Sequence, residues 1–354
     1  MRTAVEKNCL ERPSMQDKGR IVISSRIRLA RNLRGKAFPG WAGARERQHV
    51  FDSLSQWLME EGLLDDPVLF RIETLDPVAR DLMCEDHLIS AELAAGGVGT
   101  GGVHAAASGL VAMINEEDHL RLQALRPGLD LGGAWKTITR LETGLERHVA
   151  YAFSPSLGYL TACPSNVGTG MRASVMLHLP GLRLMGEVDQ VVCGLNRMGF
   201  AVRGAFGEGS EASGSLYQIS NQATLGVREL ETLERISGMV ETLVGVERRA
   251  RQRLSRLPVP RLLDHVGRTF GIVSHAAMLS AGEAMDILSG LMLGIESGMV
   301  SGVDADQLET MMWTVQPGHL QRAAERSLSV LERDVFRAGY LRGLLSNIKR
   351  TGQE

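Results

Sequence analysis

The chain reads as an α+β protein: a β-sheet with helices packed on it, then a small all-helical domain at the C-terminus. Three observations predict this. Up to about residue 250, short β-like runs and many glycines alternate with helical patterns. Beyond that point nearly every segment carries helical spacing, and Pro258-Val259-Pro260 punctuates the change. A length of 354 residues suits one large domain and a smaller one.

In chain order, residues 1–20 read as an N-terminal extension, 21–250 as the sheet-bearing domain and 251–354 as the helical domain. IVISSRIRLA (21–30) alternates like a strand, with Ile23, Ser25, Ile27 and Leu29 on one face and Ser24, Arg26 and Arg28 on the other. The Gly/Ala-rich stretch from Leu93 to Asn115, containing GGVGTGG, is too weakly apolar to span a membrane and reads as a loop leading into a strand. VAMINEEDHLRL (111–122) and MRASVMLHL (171–179) read as further strands. Leu230 to Leu254 carries apolar residues at helical spacing and predicts one long helix. Ser280 with Glu283, and Asp304 with Gln307, are capping-box candidates. The last helix runs roughly from Ser329 to Ile348, with Leu331, Val335, Ala338, Leu341 and Leu345 expected on its inner side.

Composition excludes several classes. With 44% hydrophobic and 23% charged residues the chain is an ordinary globular protein, and a net charge of −2 gives no footprint for nucleic acid or an anionic membrane. Cys9, Cys84, Cys163 and Cys193 are far apart, which argues against a zinc site or disulfide framework and suits a reducing cytoplasm. The first twenty residues lack an apolar signal core. Gly97-Val-Gly99-Thr-Gly-Gly102 matches a dinucleotide fingerprint in letters only, since no apolar strand precedes it and no helix plainly follows. There is no Walker A motif, and HRD and DFG are missing.

Four segments could carry chemistry. Arg26 and Arg28 project from one strand face, roughly 7 Å apart at the backbone, and an anion between them would relieve their repulsion. NEEDHLR (115–121), read as a strand, puts Glu117, His119 and Arg121 on one face and Glu116 on the other. CPSNVGTGMR (163–172) joins a cysteine to a Gly-rich turn and an arginine, a field that favours thiolate. VRGAFGEGSEASG (202–214) has the flexibility and carboxylates of a lid. Each segment alone is equally compatible with a solvated strand, a charged turn, a buried thiol or a surface loop.

Taken together, SSRIRLAR, NEEDHLR, CPSNVGTGMRASV and RGAFGEGSE…ISNQATLG resemble the phosphagen kinases, in that family's order and at comparable spacing, over roughly residues 21–250. Two departures point to the bacterial protein-arginine kinase branch: only some twenty residues precede the first arginine strand, and Arg333-Asp334-Val-Phe-Arg337-Ala338 looks like that branch's RDxxRA motif. WTVQPGHLQ (313–321) also resembles that branch. The resemblance implies an antiparallel, glutamine-synthetase-like sheet flanked by helices, ATP and Mg²⁺ as cofactors, no metal ligands from protein side chains, and transfer of the γ-phosphate to arginine side chains in proteins. It assigns catalysis to Glu117, Glu208 and Cys163. It assigns ATP binding to Ser24, Ser25, Arg26, Ile27, Arg28, His87, Arg121, Arg172, Ala173, Ser174, Val175, Met176, Arg203, Gly204, Ala205, Phe206, Gly207 and Glu208, although Met176 replaces a family histidine. It assigns an allosteric phosphoarginine site to Arg333, Asp334, Arg337 and Ala338. It further implies a cytoplasmic homodimer in stress-linked protein quality control, with a heat-shock repressor and unfolded proteins as substrates, a zinc-binding activator protein and a Clp protease as partners, and neither nucleic acid nor membrane. A small-molecule guanidino kinase and a non-catalytic phosphoarginine-binding adaptor are the competing readings.

Overall fold

The computed structural model describes residues 21–60, 62–204, 212–258 and 260–351. In chain order these form β1 (Val22–Arg31), α1 (Ala44–Leu58), β2 (Val68–Arg71), α2 (Pro77–Glu85), α3 (Ala91–Ala94), β3 (Gly101–Ala105), β4 (Leu110–Ile114), β5 (Leu120–Pro127) and α4 (Leu131–Leu145). There follow β6 (Phe153–Ser154), β7 (Gly158–Tyr159), β8 (Met171–His178), α5 (Pro180–Met185), α6 (Val188–Arg197), β9 (Phe200–Gly204) and β10 (Leu216–Asn221). The remainder is α7 (Glu229–Arg256), α8 (Arg261–His275), α9 (Ala281–Glu296), β11 (Val300–Ser301), α10 (Ala305–Thr314), α11 (Pro317–Ala323), α12 (Val330–Leu344) and β12 (Lys349–Arg350).

Eight strands share one sheet in the order β2-β3-β4-β5-β1-β8-β10-β9. The pairs β2–β3, β3–β4, β4–β5 and β5–β1 are antiparallel. β1 alternates as expected: Ile23, Ser25, Ile27 and Leu29 are buried, and Ser24, Arg26 and Arg28 lie on the more open face.

The chain divides into two compact units. One comprises Ser24–Val175 and Ser220–Gly238; the other comprises Met176–Ile219, Met239–Glu354 and the start of β1. In the first, Phe70, Ile72, Met83, Leu93, Val111 and Met113 form an apolar cluster under β2 to β4. In the second, α9 is the central element: ten of its residues are buried, and Leu288 and Leu291 pack with Val266, Leu308 and Leu341. A helix apolar nearly all round must be enclosed by others, and α8, α10 and α12 supply that shell.

Three expectations are corrected here. NEEDHLR is not one strand, because β4 ends at Ile114, residues 115–119 turn, and β5 starts at Leu120 with Met113 opposite Arg121. Asn115 takes a left-handed φ of 56°, a conformation asparagine tolerates better than most residues, and its N–H donates to the His119 carbonyl. The C-terminal region is helical apart from a two-residue ribbon, Val300–Ser301 with Lys349–Arg350. On α12, Ala338 and Leu341 are buried as expected, as is Leu345 just beyond it, but Leu331 and Val335 are exposed and Arg337 points inward.

Candidate active site

The first unit gathers four arginines. Arg26 and Arg28 come from β1, Arg121 from β5 and Arg172 from β8. Burial, followed by the charges of Arg172 and Arg121, pushes the Arg26 pKa down to about 10. Arg28 is pushed down too, by burial and then by Arg26, Arg121 and Arg172, against the opposing pull of Glu116. A guanidinium keeps its proton in a protein. These shifts therefore express charge held away from water and, second, mutual repulsion, both of which a polyanion would relieve. Among the described residues the buried Nε of Arg28 has no hydrogen-bond partner, a costly state unless an acceptor is supplied. These residues fit a polyphosphate.

The turn between β4 and β5 sets the acids beside this cluster. Arg121 donates to Oε1 of Glu116 at 2.7 Å and to Oε2 of Glu117 at 3.4 Å. Glu116 does not point away, as a continuous strand would require; the turn brings both carboxylates to one guanidinium. Ser90 fixes Glu116 further by a hydrogen bond, whereas the Glu117 side chain keeps 39% of its surface exposed. The Glu117 pKa is raised, first by burial and next by the Asp118 charge, while Arg121 and a hydrogen bond with Cys163 oppose the rise. A carboxylate in that condition suits a general base. The Cys163 Sγ also lies 3.0 Å from Ser165 Oγ.

Several residues to which the sequence assigned no role hold these groups. Asp118 is fully buried; its Oδ1 accepts from Asn32 Nδ2 at 2.6 Å and from the Ala162 N–H at 2.7 Å. One carboxylate thereby ties the Glu117 turn to the backbone just before Cys163. His119 is also buried: its Nδ1 accepts from the Leu33 N–H at 3.2 Å and its Nε2 lies 2.9 Å from the Ala37 carbonyl. Burial lowers its pKa. Thr224 Oγ1 donates to the carbonyls of Ser165 and Val167. Arg31 donates to Thr169 O at 3.0 Å and to Glu142 at 2.5 Å, and covers the Tyr159 ring at 3.5 Å. Gly168 (φ 114°) must be glycine, because a Cβ there would lie 2.2 Å from the Thr224 carbonyl.

The other named positions fall as follows. Ser25, Ile27, Ala173 and Val175 have buried side chains, and Ser25 Oγ donates to Gly128 O. Ser24 is half-buried and Ser174 buried. His87 sits in the turn after α2 with a φ of 58°, and its carbonyl accepts from Gln123. Met176 packs in the apolar core of the second unit with Ile23 and Leu216, which accounts for methionine there. Arg203 and Gly204 end β9 in that unit, with Arg203 exposed. Ala205, Phe206, Gly207 and Glu208 lie outside the described residues, as do Cys9 and the extension 1–20. In the C-terminal motif, Arg337 is 1% exposed and donates to the carbonyls of Val315 and Leu279 and to Asp334. Arg333 is half-buried and donates to Leu328 O; Ala338 is buried. Among the described residues no group of three or more His, Cys, Asp or Glu is placed to hold a metal, and no helix is long and apolar enough to cross a membrane.

Clustered guanidiniums beside a raised-pKa carboxylate and a thiol are groups suited to phosphoryl transfer onto a cationic nitrogen. Comparison with known proteins agrees. Residues 55–250 match the ATP:guanido phosphotransferase, C-terminal catalytic domain, and residues 260–354 match the protein-arginine kinase McsB C-terminal domain. The chain is 42% identical to the protein-arginine kinase of Moorella thermoacetica, covering 92% of this chain and 94% of that one. It is 40% identical to that of Bacillus pumilus, covering 94% and 93%. Among solved structures, a lombricine kinase matches with a TM-score of 0.57 at 27% identity, over 66% of this chain and 68% of that one. The duplicated taurocyamine kinase of Schistosoma mansoni matches with 0.58 at 26%, over 67% of this chain and 35% of that one. The chain belongs to the ATP:guanido phosphotransferase family.

Proposed function

We propose that this chain is a protein-arginine kinase, transferring the γ-phosphoryl group of ATP to arginine side chains in proteins. The observation that carries the reading is the mutually repelling cluster of Arg26, Arg28, Arg121 and Arg172 beside Glu117 and Cys163. The cluster binds the nucleotide phosphates, with His87 at the nucleotide; for Arg203 only the resemblance supports a part in ATP binding. Mg²⁺ would arrive with the nucleotide and neutralise phosphate charge beside the arginines. Glu117 takes a proton from the acceptor guanidinium, whose nitrogen then attacks the γ-phosphorus as the bond to ADP breaks. Glu208 is the second orienting carboxylate by resemblance. Cys163 steadies the acceptor's positive charge.

The relatives of matching length are named for protein-arginine kinase activity, which favours a protein acceptor. The fold neighbours are named for lombricine and taurocyamine, which keeps a small guanidino acceptor as the second reading. Incubation with ATP and Mg²⁺, and either free arginine or an arginine-rich unfolded protein, separates them. Acid-labile phosphate on the protein is expected; transfer to free arginine alone overturns the reading.

The domain scheme is 21–250 for catalysis and 251–354 for regulation, and the wider role is protein quality control under stress in a bacterial cytoplasm, as a homodimer. Arg333 and Asp334 are the groups through which phosphoarginine acts as regulator. Arg337, buried and donating to the carbonyls of Val315 and Leu279 and to Asp334, positions that site from within the fold. Arg333→Ala should weaken phosphoarginine binding with the melting temperature kept, whereas Arg337→Ala should lower the melting temperature.

A further inference from the structure

A second concave site lies in the first unit, along α4. A cavity of about 550 Å³ is bounded by Lys136, Thr139, Arg140, Thr143 and Arg147 on the helix side and by Gly62 and Leu63 opposite. Its volume lies in the range of small-ligand pockets. The wall is built closely: Leu63 Cδ2 sits against Gly144, where a Cβ would lie 2.3 Å from it and would make the leucine side chain shift.

Three features of its lining point to an anion. Lys136 and Arg140, one turn apart on α4, and Arg147, just beyond its end, place three positive charges around one hollow, in a chain whose net charge is −2. None of the three has an ion pair among the described residues, and no carboxylate of those residues lines the cavity. Elsewhere on the surface exposed arginines do find acids, as Arg268 does with Asp264 and Arg253 with Glu187. Thr139 adds a second kind of observation: its Oγ1 is buried without a partner. Thr137, on the same helix, donates to the carbonyl of Gly133 four residues back, the usual outlet for a helical threonine. Thr139 lines the cavity, and rotation about its Cα–Cβ bond would turn this unsatisfied hydroxyl to a ligand there. Trp135 supplies an apolar flank.

We propose that this cavity binds a small phosphate-bearing anion, held by Lys136, Arg140 and Arg147 with a hydrogen bond from Thr139. Two or more charged groups on the ligand match the three cations, and Trp135 and Leu63 cover whatever apolar part it carries. The site is independent of the arginine cluster on β1, β5 and β8, and its occupancy does not depend on the proposed transfer activity.

Calorimetric titration of the full chain with inorganic tripolyphosphate, in the presence of saturating ADP and Mg²⁺, reads this cavity while the nucleotide site is filled. One equivalent should still bind, and quenching of tryptophan fluorescence should accompany it. The triple variant K136A/R140A/R147A should bind at least tenfold more weakly with ADP affinity unchanged. Thr139→Val, which keeps every charge, should weaken binding a few-fold and covers the case in which the triple variant does not fold. Absence of a second binding event, or equal affinity in both variants, overturns the proposal. Saturation by a polyglutamate peptide but not by tripolyphosphate overturns it too, in favour of an acidic protein segment.

Discussion

At the scale of single residues, parity along β1 decides which arginine does what. Arg26 and Arg28 share the face opposite Ile27 and Leu29, so they meet other arginines; Arg31, of opposite parity, is buried against Glu142 and Tyr159. That division was legible in the alternation of SSRIRLAR for the first two, and not for the third. Nothing local in the sequence shows that a distant glutamate waits for Arg31. Asp118 was missed for a related reason, since a short acid inside NEEDHLR looks like one more surface charge until Asn32 and Ala162 are seen to donate to it. It has a consequence for pH. Burial is the largest cause of the raised Glu117 pKa, and the negative charge of Asp118 is the next. A raised pKa means that the base ionises only at higher pH, so the acid limb of kcat/KM lies above that of an ordinary carboxylate. Asp118→Asn removes the repelling charge but keeps an oxygen acceptor. Its acid limb should move to lower pH, by up to about one unit, which is ~1.4 kcal/mol. A limb that stays in place would show that Asp118 acts on Glu117 through geometry alone.

At the scale of elements, the sequence revealed helices and strands with regular periodicity and failed where side chains override it. The 28-residue helix α7 and the capping box at Asp304 were readable because their signals are local. The turn at 115–119 was not, because apolar residues on both sides made one strand look continuous, and only the left-handed φ of Asn115 breaks it. On α12 the apolar pattern suggested Leu331 and Val335 as inner residues, yet Arg337 takes the inward position by satisfying the carbonyls of Val315 and Leu279. A buried charge of this kind joins elements that periodicity treats as separate. Glu247 on α7 is a second case: fully buried, it accepts from the Gly181 and Leu182 N–H groups at 2.8 and 2.9 Å and from Arg251 at 2.6 Å. Those N–H groups open the short helix α5, where a carboxylate meets both unpaired donors and the positive end of the helix dipole. Glu247→Ala leaves two buried donors and part of a buried guanidinium without an acceptor. It should lower stability by about 3–5 kcal/mol in denaturant unfolding. A loss below about 1 kcal/mol would mean that water replaces the carboxylate.

At the scale of the whole molecule, the same burial that shapes the site makes the fold sensitive to mild acid. His104 and His119 are buried, and burial is the largest cause of a lowered pKa at each, only partly offset by Asp86 at the first and by the Ala37 carbonyl and Asp118 at the second. His265, in the second unit, is lowered for the same reason but is only partly covered, so its contribution is smaller. The unfolded chain binds protons at these histidines near the ordinary value of about 6.5, whereas the folded chain binds them only at lower pH. Between those values the unfolded state holds more protons, so stability rises with pH there and is lost as pH falls. Each proton so linked contributes at most ~1.4 kcal/mol per pH unit. Burial raises the pKa of Glu142 and so works in the opposite sense, favouring the folded state as pH falls, but its effect begins from the carboxylate range below the histidine window. The melting temperature should therefore be flat above pH 7.5 and fall progressively from pH 7 to pH 5.5. His119→Asn, which cannot charge, should flatten part of that slope even if it lowers stability at neutral pH. A melting temperature independent of pH across this range would mean that His104 and His119 gain their protons without unfolding, and that the first unit opens locally to admit them.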